Sequence, residues 1–162
     1  MAIYVRFLQR HFWIIPLMAM YATSPAHALI DRWTVIGSGE VISAADCGDC
    51  DEDTGMMLSC QGPGKKLLLE IPGAADELGI ENREVPVVIS SAGETHELSA
   101  RSKEWGLIGF VPTLEISMYH PLMEALQAGR AAQVRFGEVE TDISLTGSRE
   151  AIGALLQQCP GE

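Results

Sequence analysis

Cys47, Cys50, Cys60 and Cys159 are the residues whose type and spacing most invite chemistry in this sequence. Cys47-Gly-Asp-Cys50 has the C-x-x-C spacing of a thiol–disulfide exchange pair, in which one thiolate attacks and the other resolves. Such a centre needs surroundings that stabilise a thiolate, and Asp51, Glu52 and Asp53 supply the opposite field. Four thiolates could also hold a tetrahedral zinc, but only one half of the usual paired C-x-x-C spacing is present. Asp49, Asp51 and Asp53 set carboxylates at alternate positions, as an oxygen-lined calcium loop does. Counted from Asp49, however, the sixth position is Thr54 rather than glycine and the twelfth is Cys60 rather than glutamate. What remains for a cation is a carboxylate site of another kind in the Asp46–Asp53 acidic loop; the plainer reading is a solvated loop. Ser90, Ser91 and Ser99 could in principle meet His96 or His120 as nucleophile and base, yet no G-x-S-x-G elbow occurs.

The compartment decides what the cysteines do. Residues 1–10 carry Arg6 and Arg10 and no acid, Phe12–Ala22 is apolar apart from Pro16, and Ala26 and Ala28 are the small residues a signal peptidase reads. The apolar run is shorter than the ~20 residues a spanning helix needs. The expectation is a signal peptide over 1–28 and a single exported β-rich domain over 29–162, periplasmic or secreted, with no stable membrane insertion after cleavage. All 22 acidic residues fall in the exported part of a chain whose formal charge is −11. Such a surface repels phosphate backbones and anionic headgroups, so nucleic acid is not an expected partner.

The elements that must position these residues are mostly strands. Trp33–Ile36 and Glu40–Ser43 flank the turn at Gly37-Ser-Gly39, and Ala44–Gly55 reads as the cysteine- and acid-bearing loop. Met56–Cys60 and Lys65–Ile71 flank Gln61-Gly-Pro-Gly64 as a hairpin, and Pro72–Glu84 reads as a connection with one helical turn. Val87–Ser90 faces Thr95–Ala100, which turns His96 outward. Trp105–Met118 is β-prone but interrupted by Pro112, which demotes its middle to an edge or a break. Pro121 opens a helix with Leu122, Ala125 and Leu126 on one face, and Gly129 ends it. Gln133–Phe136 and Asp142–Leu145 alternate as half-buried strands. Ser148 then caps a final helix with Glu150 in its first turn and Ile152, Leu155 and Leu156 as its apolar stripe. Trp33 and Trp105 could stack on a ligand, though core positions are the commoner fate of tryptophan in a small β-rich domain. The pattern is α+β: mainly an antiparallel β sheet or sandwich with one internal helix and a C-terminal helix, disulfide-linked.

An even number of cysteines in an exported chain reads as disulfides. Four allow three connectivities, and the spacing alone does not choose among them. Cys159 stands four residues beyond Leu155 and seven beyond Ile152, on the buried face of the last helix. Cys60 closes a strand and can lie beside that helix, so Cys60–Cys159 with Cys47–Cys50 is the preferred pairing.

Two resemblances bear on function. Cys47-Gly-Asp-Cys50 together with Val111-Pro112-Thr113 resembles the centre and cis-proline segment of thioredoxin-like oxidoreductases, but no aromatic precedes Cys47 and no apolar helix follows Cys50. The stretch Ile143-Ser-Leu-Thr-Gly147, followed by Ser148-Arg-Glu-Ala-Ile152 and a closing Cys159, resembles the end of the invasion-associated locus B family over at most Leu122–Cys159. That resemblance implies an exported bacterial β-rich protein of the cell envelope, without enzymatic activity and with no catalytic residue to carry over. The expectation is therefore a non-enzymatic binding or accessory protein that engages an envelope protein or ligand and needs no cofactor. The alternatives are a thiol–disulfide redox protein using Cys47 and Cys50, and a calcium-dependent module using the Asp46–Asp53 loop.

Overall fold

The computed structural model describes residues 33–38, 41–47, 54–60, 66–75 and 83–159. The expected signal segment over 1–28 lies outside the described residues, as do Cys50, Asp49, Asp51 and Asp53. Nine strands are described: β1 (Trp33–Ser38), β2 (Val41–Cys47), β3 (Thr54–Cys60), β4 (Lys66–Glu70), β5 (Glu84–Ser91), β6 (Glu94–Glu104), β7 (Phe110–Ser117), β8 (Ala131–Phe136) and β9 (Val139–Ser144). They form one antiparallel sheet in the order β1-β2-β3-β4-β7-β6-β5-β8-β9. Two helices join it, α1 (Pro121–Ala128) and α2 (Ser148–Gln158). The α+β, mainly antiparallel class expected from the sequence is the observed one.

Period-two alternation fixes which side of each strand is buried. Ala132, Val134 and Phe136 on β8 register with Ser91, Ile89 and Val87 on β5, and all six are buried. On the other half of the sheet Leu67 and Leu69 of β4, Met56 and Leu58 of β3 and Ile42 and Ala44 of β2 line the same core. The helices close it: α1 contributes Leu122 and Leu126, and α2 contributes Ile152 and Leu155, each fully buried. Truncating any one of these leucines or isoleucines to alanine would cost about 2–5 kcal/mol. The ends of the sheet are drawn together by Trp33, whose backbone N–H donates to Thr146 O at 2.9 Å and whose Nε1–H donates to Ser144 O at 2.8 Å.

Three local expectations differ from the observed elements. Ala44–Cys47 and Thr54–Gly55 belong to β2 and β3 rather than to a loop, because both segments pair across the sheet and Ala44, Ala45, Asp46 and Cys47 are buried. Gly55 is where Asp46 leans over the neighbouring strand; a Cβ there would lie 2.8 Å from Asp46 Oδ2. Pro112 neither breaks β7 nor puts it on an edge. Its carbonyl accepts from Ile71 N–H at 3.1 Å, and the carbonyl of Ile71, which a proline cannot serve, accepts from Ala74 N–H at 3.0 Å. The 3-10 turn at Pro72–Ala74 thus supplies the donor that Pro112 lacks, and the proline marks where β4 ends.

At α2 the N-cap is Gly147, in the left-handed region at φ 82°, and Ser148 is used otherwise. Its buried hydroxyl donates to Leu126 O at 2.7 Å, and Arg149 Nε donates to Gln127 O at 3.3 Å. The start of α2 therefore satisfies carbonyls at the end of α1, which its own helix leaves unmatched. Gly129 does follow α1, but at φ −75°, so it is chosen for space rather than for a left-handed turn. A Cβ there would run into Ser91 Oγ and approach Leu145 Cδ1 and Ala125 O.

Candidate binding cleft

The described cysteines are all disulfide-bonded. Cys60 at the end of β3 bonds Cys159 at the end of α2 across a sequence separation of 99, with the Cα atoms 5.7 Å apart. Both are buried, as the phase of the last helix requires. Cys47 is buried and disulfide-bonded too, and there is no free cysteine among the described residues. The expected Cys47–Cys50 pairing and the candidate carboxylates Asp49, Asp51 and Asp53 lie outside the described residues; Asp46 is described, buried at the end of β2.

His96 does not face outward. It registers with buried Ile89, on the core side of the sheet, where its ring meets that of His120 edge-on with centroids 5.7 Å apart. His96 Nε2 lies 3.4 Å from Glu94 Oε2. His120 caps α1: its Nδ1 accepts from Leu122 N–H at 3.1 Å, which leaves that nitrogen unprotonated. Burial, and secondarily the neighbouring His96, hold its pKa below the ordinary histidine value of 6.5. Ser90 bonds Thr95 on the outer face, and Ser91 Oγ donates to Ala125 O and Ala131 O. The structure thus brings the two histidines together but spends both His120 and Ser91 on holding α1.

The surface feature with open chemistry lies where β7 changes neighbours. Its first half, Phe110–Thr113, pairs with Glu104–Arg101 of β6; its second half, Thr113–Ser117, pairs with Glu70–Lys66 of β4. Antiparallel strands direct alternate residues' backbone groups to opposite neighbours. Ser102 N–H donates to Arg83 O, just before β5, so the even residues of β6 serve β5 and the odd ones point toward β7. Pro112 O accepts from Ile71 at the end of β4, so the odd residues of β7 point toward β6. Arg101 and Thr113 meet there as a pair. Beyond them the strands part, and no described strand pairs with Thr95, Glu97 or Ser99 on the β7 side, or with Glu115 on the β6 side. All four residues are exposed.

The mouth of this divergence is a groove of roughly 510 Å³ on the outer face, lined by Leu68, Ser99, Arg101, Lys103, Thr113 and Glu115 among others. Its cations are already matched. Lys66 Nζ lies 2.9 Å from Glu115 Oε2, Lys103 Nζ 3.8 Å from Glu70 Oε1, and Arg101 Nε 4.0 Å from Glu84 Oε1. The two exposed pairs, Lys66–Glu115 and Arg101–Glu84, contribute little to stability, about 0–1 kcal/mol each. Their consequence is electrostatic: the groove holds no surplus positive charge for an anion, while Glu97 beside it has no cationic partner among the described residues.

The sequence did not reveal this cleft. Each strand was visible, but the parting of β6 from β7 depends on which neighbour β7 takes at each end. The only local signals are Pro112 and the glycines of the connection, Gly106 at φ 53° and Gly109 at φ 98°. At the tip of that connection Trp105 is 37% exposed and Leu107 fully so, whereas Trp33 is a core residue at 2%. The two tryptophans thus have different fates.

No family model matches the chain, and no curated protein matches it. Among solved structures it is similar to the crystal structure of invasion associated protein B from Bartonella henselae, at 12% sequence identity and a TM-score of 0.49. That alignment covers 78% of this chain and 93% of the other.

Proposed function

We propose that this chain is an exported, non-enzymatic binding or accessory protein of the bacterial cell envelope, acting in the periplasm or outside the cell. The observation that carries the reading is the Cys60–Cys159 bond together with the lack of any free thiol among the described residues. Such bonds persist in oxidising compartments, in keeping with the charged, apolar, small-residue order of residues 1–28. No helix among the described residues is long and apolar enough to cross a membrane. A binding role is supported by what the polar groups are used for. The histidines and Ser91 support α1, while the outer face offers matched charges and open backbone groups rather than a nucleophile beside a base.

The test is to produce the full chain in a host with a general export pathway, fractionate the cells and block free thiols with a maleimide before mass mapping. The expected product starts after Ala28, is found outside the cytoplasm and contains the Cys60–Cys159 cross-linked peptide. Full-length chain retained inside the cell with alkylated Cys159 would overturn the reading.

A further inference from the structure

We infer that the cleft between β6 and β7 is a docking site for an extended peptide strand with alternating apolar and basic residues. The inference rests on the reading of this chain as a binding module, but not on its export.

The backbone of β6 presents an open edge. A polypeptide laid along Thr95–Ser99 meets the N–H and C=O groups of three odd residues of β6, at the spacing of an antiparallel or parallel ladder. Those groups are unpaired among the described strands, and the strand that carries them is already held rigid by eight residue pairs to β5. Glu115 offers the same kind of groups from the other wall. Strand addition of this type draws its affinity from main-chain hydrogen bonds and its selectivity from alternate side chains.

The side chains along that edge set which residues fit. Residues of the added strand that point outward would run beside Glu97, which has no cationic partner among the described residues, in a protein whose formal charge is −11, while the nearby cations and the Glu115 carboxylate are matched with one another. Positive side chains fit there and negative ones are repelled. Residues that point the other way would run beside half-buried Leu98 and buried Leu114, where only apolar groups avoid a desolvation cost. A strand of Lys-Val alternation satisfies both requirements.

The experiment uses the purified, oxidised protein and a fluorescein-labelled Lys-Val repeat of about eight residues, a usual strand length. Anisotropy gives the affinity, and amide hydrogen exchange gives the location. The expected result is at least about tenfold tighter binding than for a Glu-Val repeat of the same length, with slowed exchange at Thr95–Ser99 and Glu115. A Lys-Val repeat N-methylated at every residue, which keeps its charge but has no backbone donor on either edge, is expected to lose at least about tenfold. The substitution Glu97→Lys, at an exposed position, is expected to weaken the unmodified peptide severalfold. Equal binding of the methylated and unmethylated peptides would overturn the proposal in favour of diffuse charge attraction. Absence of protection at Thr95–Ser99 would overturn it outright, and a dimer in sedimentation that protects the same amides without peptide would assign the edge to a second copy of this chain. None of these results bears on export, which fractionation reads independently.

Discussion

The two halves of the sheet are held by different means. β1 to β3 are packed by α2, and the end of that helix is covalently tied to β3 through Cys60–Cys159. β5, β6, β8 and β9 have no such tie among the described residues. They rely on short-range hairpins, on α1, and on single hydroxyl and amide contacts such as those of Ser91 and Ser148. α2 spans the two: its first turn feeds the carbonyls of α1, and Cys159, which caps its end, is cross-linked to the other half. Strands with mostly local partners stand on hydrogen bonding and burial. The strands whose covering helix arrives from far along the sequence carry a covalent link as well.

The comparison can be broken most severely at the bond. Replacing both Cys60 and Cys159 with serine is expected to lower unfolding free energy by up to about 4.7 kcal/mol, the chain-entropy figure for a loop of roughly 100 residues, as read by urea denaturation. Hydrogen exchange in that variant should rise first in β1–β3 and α2 while β5, β6 and β8 stay protected; a uniform rise would erase the distinction between the halves. Next in size is Gly129→Ala, which drives a methyl group into Ser91 and Leu145 and should cost about 2 kcal/mol in thermal or chemical unfolding. Ser148→Ala leaves the buried Leu126 carbonyl without its donor and should cost about 1.5 kcal/mol, with exchange at the end of α1 accelerated.

The smallest effect concerns His120. Replacing it with alanine removes the cap on α1, at a cost of about 1 kcal/mol. It should also remove a pH dependence. Because the folded pKa lies below 6.5, the unfolded chain binds more protons between the two values, so stability rises with pH across that interval. The contribution is complete above about pH 6.5 and is lost as pH falls through the lower folded value. Unfolding curves of the native chain between pH 7.5 and 5 should show this slope, and the His120→Ala curves should show it reduced (pH values about those of the window).

Much of the fold was legible because its patterns are local. The strict alternation of exposed and buried residues along β8, the Pro121 start of α1 and the phase that put Ile152, Leu155 and Cys159 on one face can each be read within about ten residues. What escaped depended on neighbours distant in sequence. Ala44–Cys47 looked like a loop because acids and cysteine are poor strand formers, yet pairing on both sides keeps it extended. Ser148 looked like a cap because of its type, but α1 offered its hydroxyl a buried carbonyl. Pro112 looked like a break because its missing donor could be counted but its replacement, Ala74, could not. The cleft was hidden for the same reason: a strand that exchanges one neighbour for another leaves no mark in its own residues.

The span between Cys60 and Cys159 contains β4 through α2. The two sulfurs can therefore meet in this geometry only when six strands and both helices have been made and gathered between them. Oxidation at this pair is therefore expected to follow assembly rather than to begin it. The appearance of the cross-link after synthesis is consequently a clock, readable by thiol trapping, for how long the domain takes to find its shape.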